Sequence, residues 1–293
     1  MVYPRFSVSV TFIAILTTIC CISGILAVLQ NLAVRLVVRN IPSLRSTARY
    51  YMASLAAAEL LSGFTGNLQF AFNHSSKEII FVRTDSAVFC LTITSVTLSL
   101  SNVALDRYIA ITSPLQYHNR MTSTRCLILI IFSWCLAVLG ATVVFVVPEE
   151  SLVQIWICVA IISVLTPFCI IYSLLLFQNS SSNKKDFSFA WEHDRSSTNR
   201  RTQAAKENSI TFGIITGLYI FFFMPTFIFN CVQVMANPPD MKIVKTDSFS
   251  RKFWVSVAVI SYFSAICDPW VYAIRMRDFR MALKELLPIN CKQ

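Results

Sequence analysis

The sequence predicts an all-α fold: a seven-transmembrane helix bundle with a short amphipathic eighth helix. Three observations lead there. The chain of 293 residues is 55% hydrophobic and 14% charged, whereas a soluble domain carries about a quarter charged residues. So much apolar surface exceeds one globular core and calls for the bilayer as its solvent. Seven apolar stretches reach the length of roughly 20 residues that a span requires. The Lys and Arg residues gather in the segments between those stretches, which is the topology code of a membrane protein.

One domain, residues 1–293, holds every element. Spans are expected near 6–35, 48–72, 80–112, 124–147, 151–178, 206–234 and 252–274, and the amphipathic helix over 276–287. The first apolar run, Phe6 to Val34, has no charge, and the second, Tyr50 to Phe72, has only Glu59. The third, from Ser86, is uncharged until Asp106. The next three, Cys126–Val147, Ser151–Phe177 and Asn208–Val234, are uncharged, and the last, Phe253–Ile274, carries only Asp268. Beyond it, Phe279, Leu283, Leu286 and Leu287 recur at helical spacing among Arg and Lys, the pattern of a helix lying on the inner membrane surface. No internal repeat is visible, which speaks against many transporter architectures.

The net charge of +10 does not point to nucleic acid, because the basic residues sit between apolar runs rather than through a fold. One side of the membrane holds 18 of the 25 Lys and Arg residues and the other holds 7. The N-terminus is therefore expected outside and the C-terminus inside. The ten cysteines are scattered, without a CxxC pair, so neither a disulfide framework nor a metal site is expected. Only Arg5 precedes the first stretch, which is too long for a signal-peptide core, so none is expected. Asn73-His74-Ser75 is a glycosylation sequon on the outer side, used or unused. Cys291 is either a palmitoylation site or a plain thiol.

A polar group within the membrane is costly, so each one points to a role. Asp106-Arg107-Tyr108 closes the third span at its inner end, where an arginine needs an acid or a partner protein. Leu55-Ala56-Ala57-Ala58-Glu59 lies in the second span and Asp268-Pro269-Trp270-Val271-Tyr272 in the seventh. Asn31 is the lone Asn of the first span and Trp134 the lone Trp of the fourth; Pro167 and Pro225 interrupt the fifth and sixth. A proline inside a helix removes a backbone hydrogen bond and permits a kink.

This ordered set covers essentially the whole chain and resembles the rhodopsin-like (class A) G-protein-coupled receptors. The triplet is similar to their DRY motif, the second-span run to their LAxAD with Glu for Asp, and the seventh-span run to their D/NPxxY in its Asp form. The likeness is greatest to adenosine receptors, through Ser54–Ala58, Gly217-Leu218-Tyr219 before Pro225, and Arg277-Asp278-Phe279-Arg280. Melanocortin receptors come second, through Leu115-Gln116-Tyr117-His118-Asn119 and the short outer segment near Pro148.

The resemblance implies a plasma-membrane receptor carrying a small-molecule signal to a heterotrimeric G protein. It implies coupling and activation through Asp106, Arg107, Tyr108, Leu115, Pro225, Asp268, Pro269 and Tyr272. It implies a ligand pocket of Phe89, Cys90, Ile93, Phe227, Asn230, Ser261 and Tyr262; interhelical packing is the alternative for each of these except Asn230. Asn230 matches the purine-gripping Asn of adenosine receptors and Ser261 a ribose-contacting Ser, while Tyr262 replaces their His and Cys20 its Glu partner. Amine receptors have an Asp where Phe89 stands, and only Asp85 lies near the acid cluster of melanocortin receptors, so a neutral ligand is expected, nucleoside-like first and lipid-like second.

The family fold also implies that Glu59 and Asp268 face each other mid-bundle. Two carboxylates in low dielectric cannot both stay charged without a cation, so they share a proton or hold sodium. Ser264 would serve a sodium ion; Val96 stands where the family has a coordinating hydroxyl. There are further departures. Val82 occupies the place of the disulfide Cys of the third span, Phe223 that of the sixth-span Trp, and Ala205 that of the acid facing Arg107.

Two other classes fit less well. A transporter or channel needs charges along a path, and only Glu59 and Asp268 lie deep. An intramembrane enzyme needs a nucleophile with its base, or metal ligands, on facing spans; the three histidines, His74, His118 and His193, all fall in loops. Ala205 leaves a lock missing, so Ala205→Glu is expected to lower ligand-free signalling severalfold at matched surface expression, read as basal cyclic AMP or nucleotide exchange.

Overall fold

Within a bilayer the backbone has no water to bond, so each apolar run must close its own hydrogen bonds as helix. In a computed structural model the described runs do so. The structure describes residues 10–39, 46–73, 79–112, 116–146, 192–235, 256–257 and 259–286, together with 159, 162, 165, 169, 172 and 173. All long elements are helices: α1 (Val10–Arg39), α2 (Ser46–Asn73), α3 (Ile79–Thr112), the short α4 (Tyr117–Arg120), α5 (Ser123–Val146), α6 (Glu192–Met235), α7 (Ser264–Arg275) and α8 (Arg277–Leu286). Among the described residues, four segments are by themselves long and apolar enough to cross a membrane: Ala14–Arg39, Ala87–Ala110, Ser123–Val146 and Ile210–Phe229.

The helices pack in a ring around a shared interior. α2 lies between α1 and α3, α5 backs onto α3 and α2, and α7 rests against α1, α2 and α6. α8 turns off α7 at Met276, whose extended backbone (φ −101°, ψ 108°) ends the helix, and packs back on α7 and α1. Tyr51, Met52, Leu55, Ile93, Leu100, Ile215 and Tyr272 are the largest side chains at the centre.

The side-chain distribution inverts that of a soluble protein. In α5 the outward residues include Ile128, Ile131, Phe132, Leu139 and Val146. Its inward stripe is Cys126, Ser133, Ala137, Gly140 and Val144. Lipid tails are as apolar as leucine, so helices associate through small residues that allow close approach and through interhelical hydrogen bonds. α1 and α2 approach closely: a Cβ on Gly63 would lie 2.8 Å from the Ala27 Cβ and 3.4 Å from the Gly24 carbonyl oxygen.

Polar bonds tie the ring together. Trp134 Nε1 donates to Ser54 Oγ at 3.2 Å, joining α5 to α2. Ser54 and Ser99 hydroxyls meet at 3.4 Å between α2 and α3. Asn102 Nδ2 donates to Ser133 Oγ at 2.8 Å, joining α3 to α5. Thr97 Oγ1 and Tyr219 Oη lie 2.8 Å apart, joining α3 to α6. Asn31 Nδ2 donates across to the Ala265 carbonyl at 2.9 Å. That carbonyl stands four residues before Pro269, which has no N–H to return the helical bond. The lone Asn of the first span thus fills the acceptor that the proline of the seventh leaves open.

Two boundaries differ from the sequence reading. The helix of the sixth span begins at Glu192, well before the expected 206. Its added turns contain Arg195, Arg200, Arg201, Gln203, Ala204 and Ala205, good helix formers with no need of the membrane. The seventh span is not one regular helix: residues 259–262 are helical, and a turn at Phe263 precedes α7. There Phe263 N–H bonds to Ile260 O at 3.1 Å and Ile266 N–H to Phe263 O at 3.1 Å, a local tightening to three-residue spacing.

Gly63→Ala is expected to lower stability by about 1–3 kcal/mol, the usual cost of overpacking. Ala27→Gly in the same chain should restore most of it. Thermal unfolding of the purified protein in detergent checks both.

Candidate functional site

The inner end of α3 carries the first part of the site. Asp106 and Arg107 are both buried. Arg107 Nε donates to Asp106 Oδ2 at 3.0 Å, and its Nη2 reaches the same oxygen. The other carboxylate oxygen accepts from Tyr117 Oη at 2.7 Å, and that hydroxyl lies 3.1 Å from Thr47 Oγ1 on α2. α4 exists to place this tyrosine: one helical turn, closed by Met121 N–H on the Tyr117 carbonyl at 2.8 Å, points it inward. Burial first, and then the Asp106 carboxylate, push the Tyr117 hydroxyl above its ordinary range. It therefore stays a neutral donor at any physiological pH.

The guanidinium of Arg107 is also covered from α6. Its central carbon lies 5.6 Å from the centroid of the Phe212 ring, within reach of a cation–π interaction. Phe212 meets Tyr272 edge-on at 6.2 Å, and Tyr272 meets Phe279 at 5.8 Å. A continuous line, Arg107–Phe212–Tyr272–Phe279, therefore runs across α3, α6, α7 and α8. The side chain of Ala205 lies outside those described, and Phe212 is the α6 group seen holding Arg107.

The second part lies mid-bundle. Glu59 on α2 and Asp268 on α7 are both buried, and they are neighbours mid-bundle. Asp268 Oδ1, Asn31 Oδ1 and Tyr272 Oη are buried without a hydrogen-bond partner among the described residues. Above them a cavity of about 10 Å³ is lined by Glu59, Ser62, Thr92, Ser264, Tyr219 and Phe223, with Phe89, Ile93 and Tyr262 also on its wall. That volume suits about one water molecule. Asp268, Asn31 and Tyr272 are not on the cavity wall, and Glu59 is the member of the acid pair that borders it. Among the described residues no three His, Cys, Asp or Glu side chains gather as a metal site.

Of the residues expected at the inner face, Tyr108 is 37% exposed and turns away from the Arg107 cluster. Pro225 lies within α6 and Pro269 within α7, while Leu115 lies outside the described residues. Of the expected pocket, Phe89, Ile93 and Tyr262 come together at the cavity. Cys90 is fully buried and Phe227 packs on the core, both off the cavity wall. Ser261 is off the cavity wall: its hydroxyl lies 2.6 Å from Thr226 Oγ1 on α6 and donates to the Val257 carbonyl at 3.1 Å. The side chains of Asn230, Asn73 and Val82, and Cys291 altogether, lie outside those described.

The sequence reading missed Tyr117, Phe212, Thr97 and Tyr219 as site residues. Phe212, Ile215, Tyr219, Phe223 and Thr226 form the inward stripe of α6 at steps of three and four. That periodicity was present in the sequence, but an apolar helix offered no contrast by which to see it.

Known proteins share this arrangement of sequence. The model of the seven-transmembrane receptor (rhodopsin) family matches residues 30–272. Human melanocortin receptor 3 is 26% identical over 283 residues, covering 90% of this chain and 82% of its own. Rat melanocortin receptor 5 is 23% identical over 275 residues, covering 90% and 81%. Human adenosine receptor A2a is 25% identical over 304 residues, covering 90% and 70%.

Phe212→Leu keeps an apolar side chain but removes the ring face from Arg107. A cation–π contact contributes about 0.5–2 kcal/mol. Ligand-free signalling should therefore rise by roughly two- to thirty-fold in the open-to-closed ratio. Phe212→Tyr should leave it near the starting level. Basal nucleotide exchange at matched surface expression reads both.

Proposed function

We propose a mechanism for this chain, which belongs to the rhodopsin family of seven-transmembrane receptors. It is a G-protein-coupled receptor of the plasma membrane, and its signal passes through one buried arginine. The observation that supports the mechanism best is the closed position of Arg107, held by Asp106 on α3 and covered by Phe212 on α6. An arginine buried in this way is withheld from the cytoplasmic face. Outward movement of α6 would carry Phe212 off the guanidinium and present Arg107 to the G protein. An agonist favours that state only by binding it better than the closed one.

The agonist enters from the outer side, with the N-terminus outside and the C-terminus inside. Phe89, Ile93, Phe223 and Tyr262 give its pocket an aromatic and apolar wall. Glu59, the acid on that wall, is engaged by Asp268. This lining favours a neutral small molecule, nucleoside-like first and lipid-like second. The closed cavity has room for about one water, so ligand entry must open the outer end, displacing Phe223. Phe223 stacks on Tyr219 at 4.3 Å, and Tyr219 holds Thr97 on α3. Displacing Phe223 would therefore work on the α3–α6 joint directly. Glu59 and Asp268 hold a sodium ion or a shared proton in the closed state. Either one neutralises the pair and steadies α2 against α7.

In cells, adenosine is expected to change cyclic AMP, and both Asn230→Ala and Arg107→Ala should abolish the response while surface expression is retained. A basal signal lost in Arg107→Ala without any response to adenosine would keep the receptor mechanism and discard the nucleoside ligand.

A further inference from the structure

The seventh span is gripped from two neighbours, and the two grips lie on opposite sides of a break. Residues 259–262 are helical, Phe263 is a turn, and α7 begins at Ser264. At the break the backbone bonds shorten to three-residue spacing, with Phe263 N–H on Ile260 O and Ile266 N–H on Phe263 O, each at 3.1 Å. The Ser264 hydroxyl donates back to the Ser261 carbonyl at 3.0 Å, the kind of local side-chain bond that bends a helix. A stretch of three-residue spacing inside a longer helix often marks a hinge.

Before the break the grip comes from α6. Thr226, next to Pro225, places its hydroxyl 2.6 Å from Ser261 Oγ and 3.4 Å from the Val257 carbonyl. Thr226 and Ser261 are both buried, and hydrocarbon offers them no water in exchange for that bond. After the break the grip comes from α1. Asn31 Nδ2 donates to the Ala265 carbonyl at 2.9 Å. Its neighbour Gln30 adds two bonds. The amide orientation that satisfies both ends puts the Gln30 nitrogen 3.0 Å from the Ile266 carbonyl and its oxygen 3.2 Å from Trp270 Nε1. Trp270 is 59% exposed, and lipid tails hold no acceptor for an indole N–H. Consecutive residues of α1 thus grip consecutive carbonyls of α7, together with the indole one turn further on. α6 reaches this later part by a ring edge, Phe212 on Tyr272.

We propose that the seventh span consists of two bodies hinged at Phe263, the leading one joined to α6 and the trailing one to α1, with Gln30 as the positioning residue of the trailing body. A single rigid helix would hand every displacement of α6 to its far end, and the Tyr272 ring would follow Phe212. With the hinge, a few residues at an element terminus absorb the change. Ser261 then moves with α6, while Tyr272 stays with α1 and Phe212 parts from it. That role rests on the signalling mechanism proposed above; the division into two bodies rests on the bonds alone.

The test uses the full chain purified in detergent, without ligand or G protein. Nitroxide labels are carried on introduced p-acetylphenylalanine, which avoids the ten cysteines. One label replaces Phe132 on the outward face of α5, 60% exposed. The other replaces Ile260 in the leading body or Ile274 in the trailing body, 40% and 66% exposed. Pulsed electron paramagnetic resonance reads the two distance distributions. Gln30→Leu should broaden the Phe132–Ile274 distribution and leave Phe132–Ile260 as it was. Thr226→Val should do the reverse. Trp270→Phe keeps an aromatic ring and removes the indole N–H, so it repeats the Gln30→Leu result should that variant fold poorly. Both distances broadening together in either variant, or neither broadening, would mean one rigid span and overturn the proposal. Basal nucleotide exchange of Phe212→Leu is measured alongside. Exchange that fails to rise while the two distances still respond separately would discard the signalling mechanism and leave the hinge standing.

Discussion

Buried polar groups in this bundle have no water to turn to, and the architecture follows from how they find one another. A hydroxyl, amide or carboxyl left alone in hydrocarbon costs several kcal/mol, while apolar side chains gain little by leaving lipid for a neighbouring helix. The large apolar residues of α5 accordingly face outward, and its inward stripe is small. Specificity comes from pairs such as Asn102 with Ser133, Trp134 with Ser54 and Thr97 with Tyr219. The Asn31 bond to the Ala265 carbonyl belongs to the same logic, because it repairs the gap that Pro269 opens in α7. A helix interrupted by proline remains stable in the membrane when a neighbour supplies the missing donor.

The same constraint shapes the signalling end. Arg107 keeps its charge inside the protein because Asp106 takes two of its nitrogens and Phe212 offers a ring face. Asp106 is in turn satisfied by Tyr117, which also reaches Thr47 on α2. These contacts link one helix to the next, so a shift of α6 disturbs them in sequence. Among the described residues, the α6 group on Arg107 is an aromatic ring, a weaker and shorter-ranged hold than a buried ion pair.

Mid-bundle, the acid pair borders the small cavity through Glu59. Glu59 and Asp268 come from helices that are both anchored to α1, through Gly63 at Ala27 and through Asn31 at Ala265. Their separation is therefore held by the frame, and their charge must be balanced within it. Phe223 closes the space on the α6 side and stacks on Tyr219, so cavity size and the α3–α6 joint are mechanically linked.

Much of this was legible in the sequence. Hydrocarbon thickness sets span length, so seven apolar runs imply seven helices. Asp106-Arg107-Tyr108 and Asp268-Pro269-Trp270-Val271-Tyr272 stood out because charge and proline are costly in such runs. The extension of α6 to Glu192 escaped notice because its polar residues look like a loop when apolarity is the guide. Which residues meet was another matter. Tyr117 reaches an acid eleven positions earlier, Thr97 meets a tyrosine 122 positions later, and Asn31 finds a carbonyl 234 positions away. Ser261 meets Thr226, 35 positions earlier on another helix. A helix apolar on all sides carries no mark of its inner face. The sequence alone therefore determined that helices form, how many span the membrane and where charge is confined. Only the tertiary structure decided how each helix is rotated and which polar groups it presents to its neighbours, because that rotation is chosen by close packing and hydrogen bonding across the whole bundle at once.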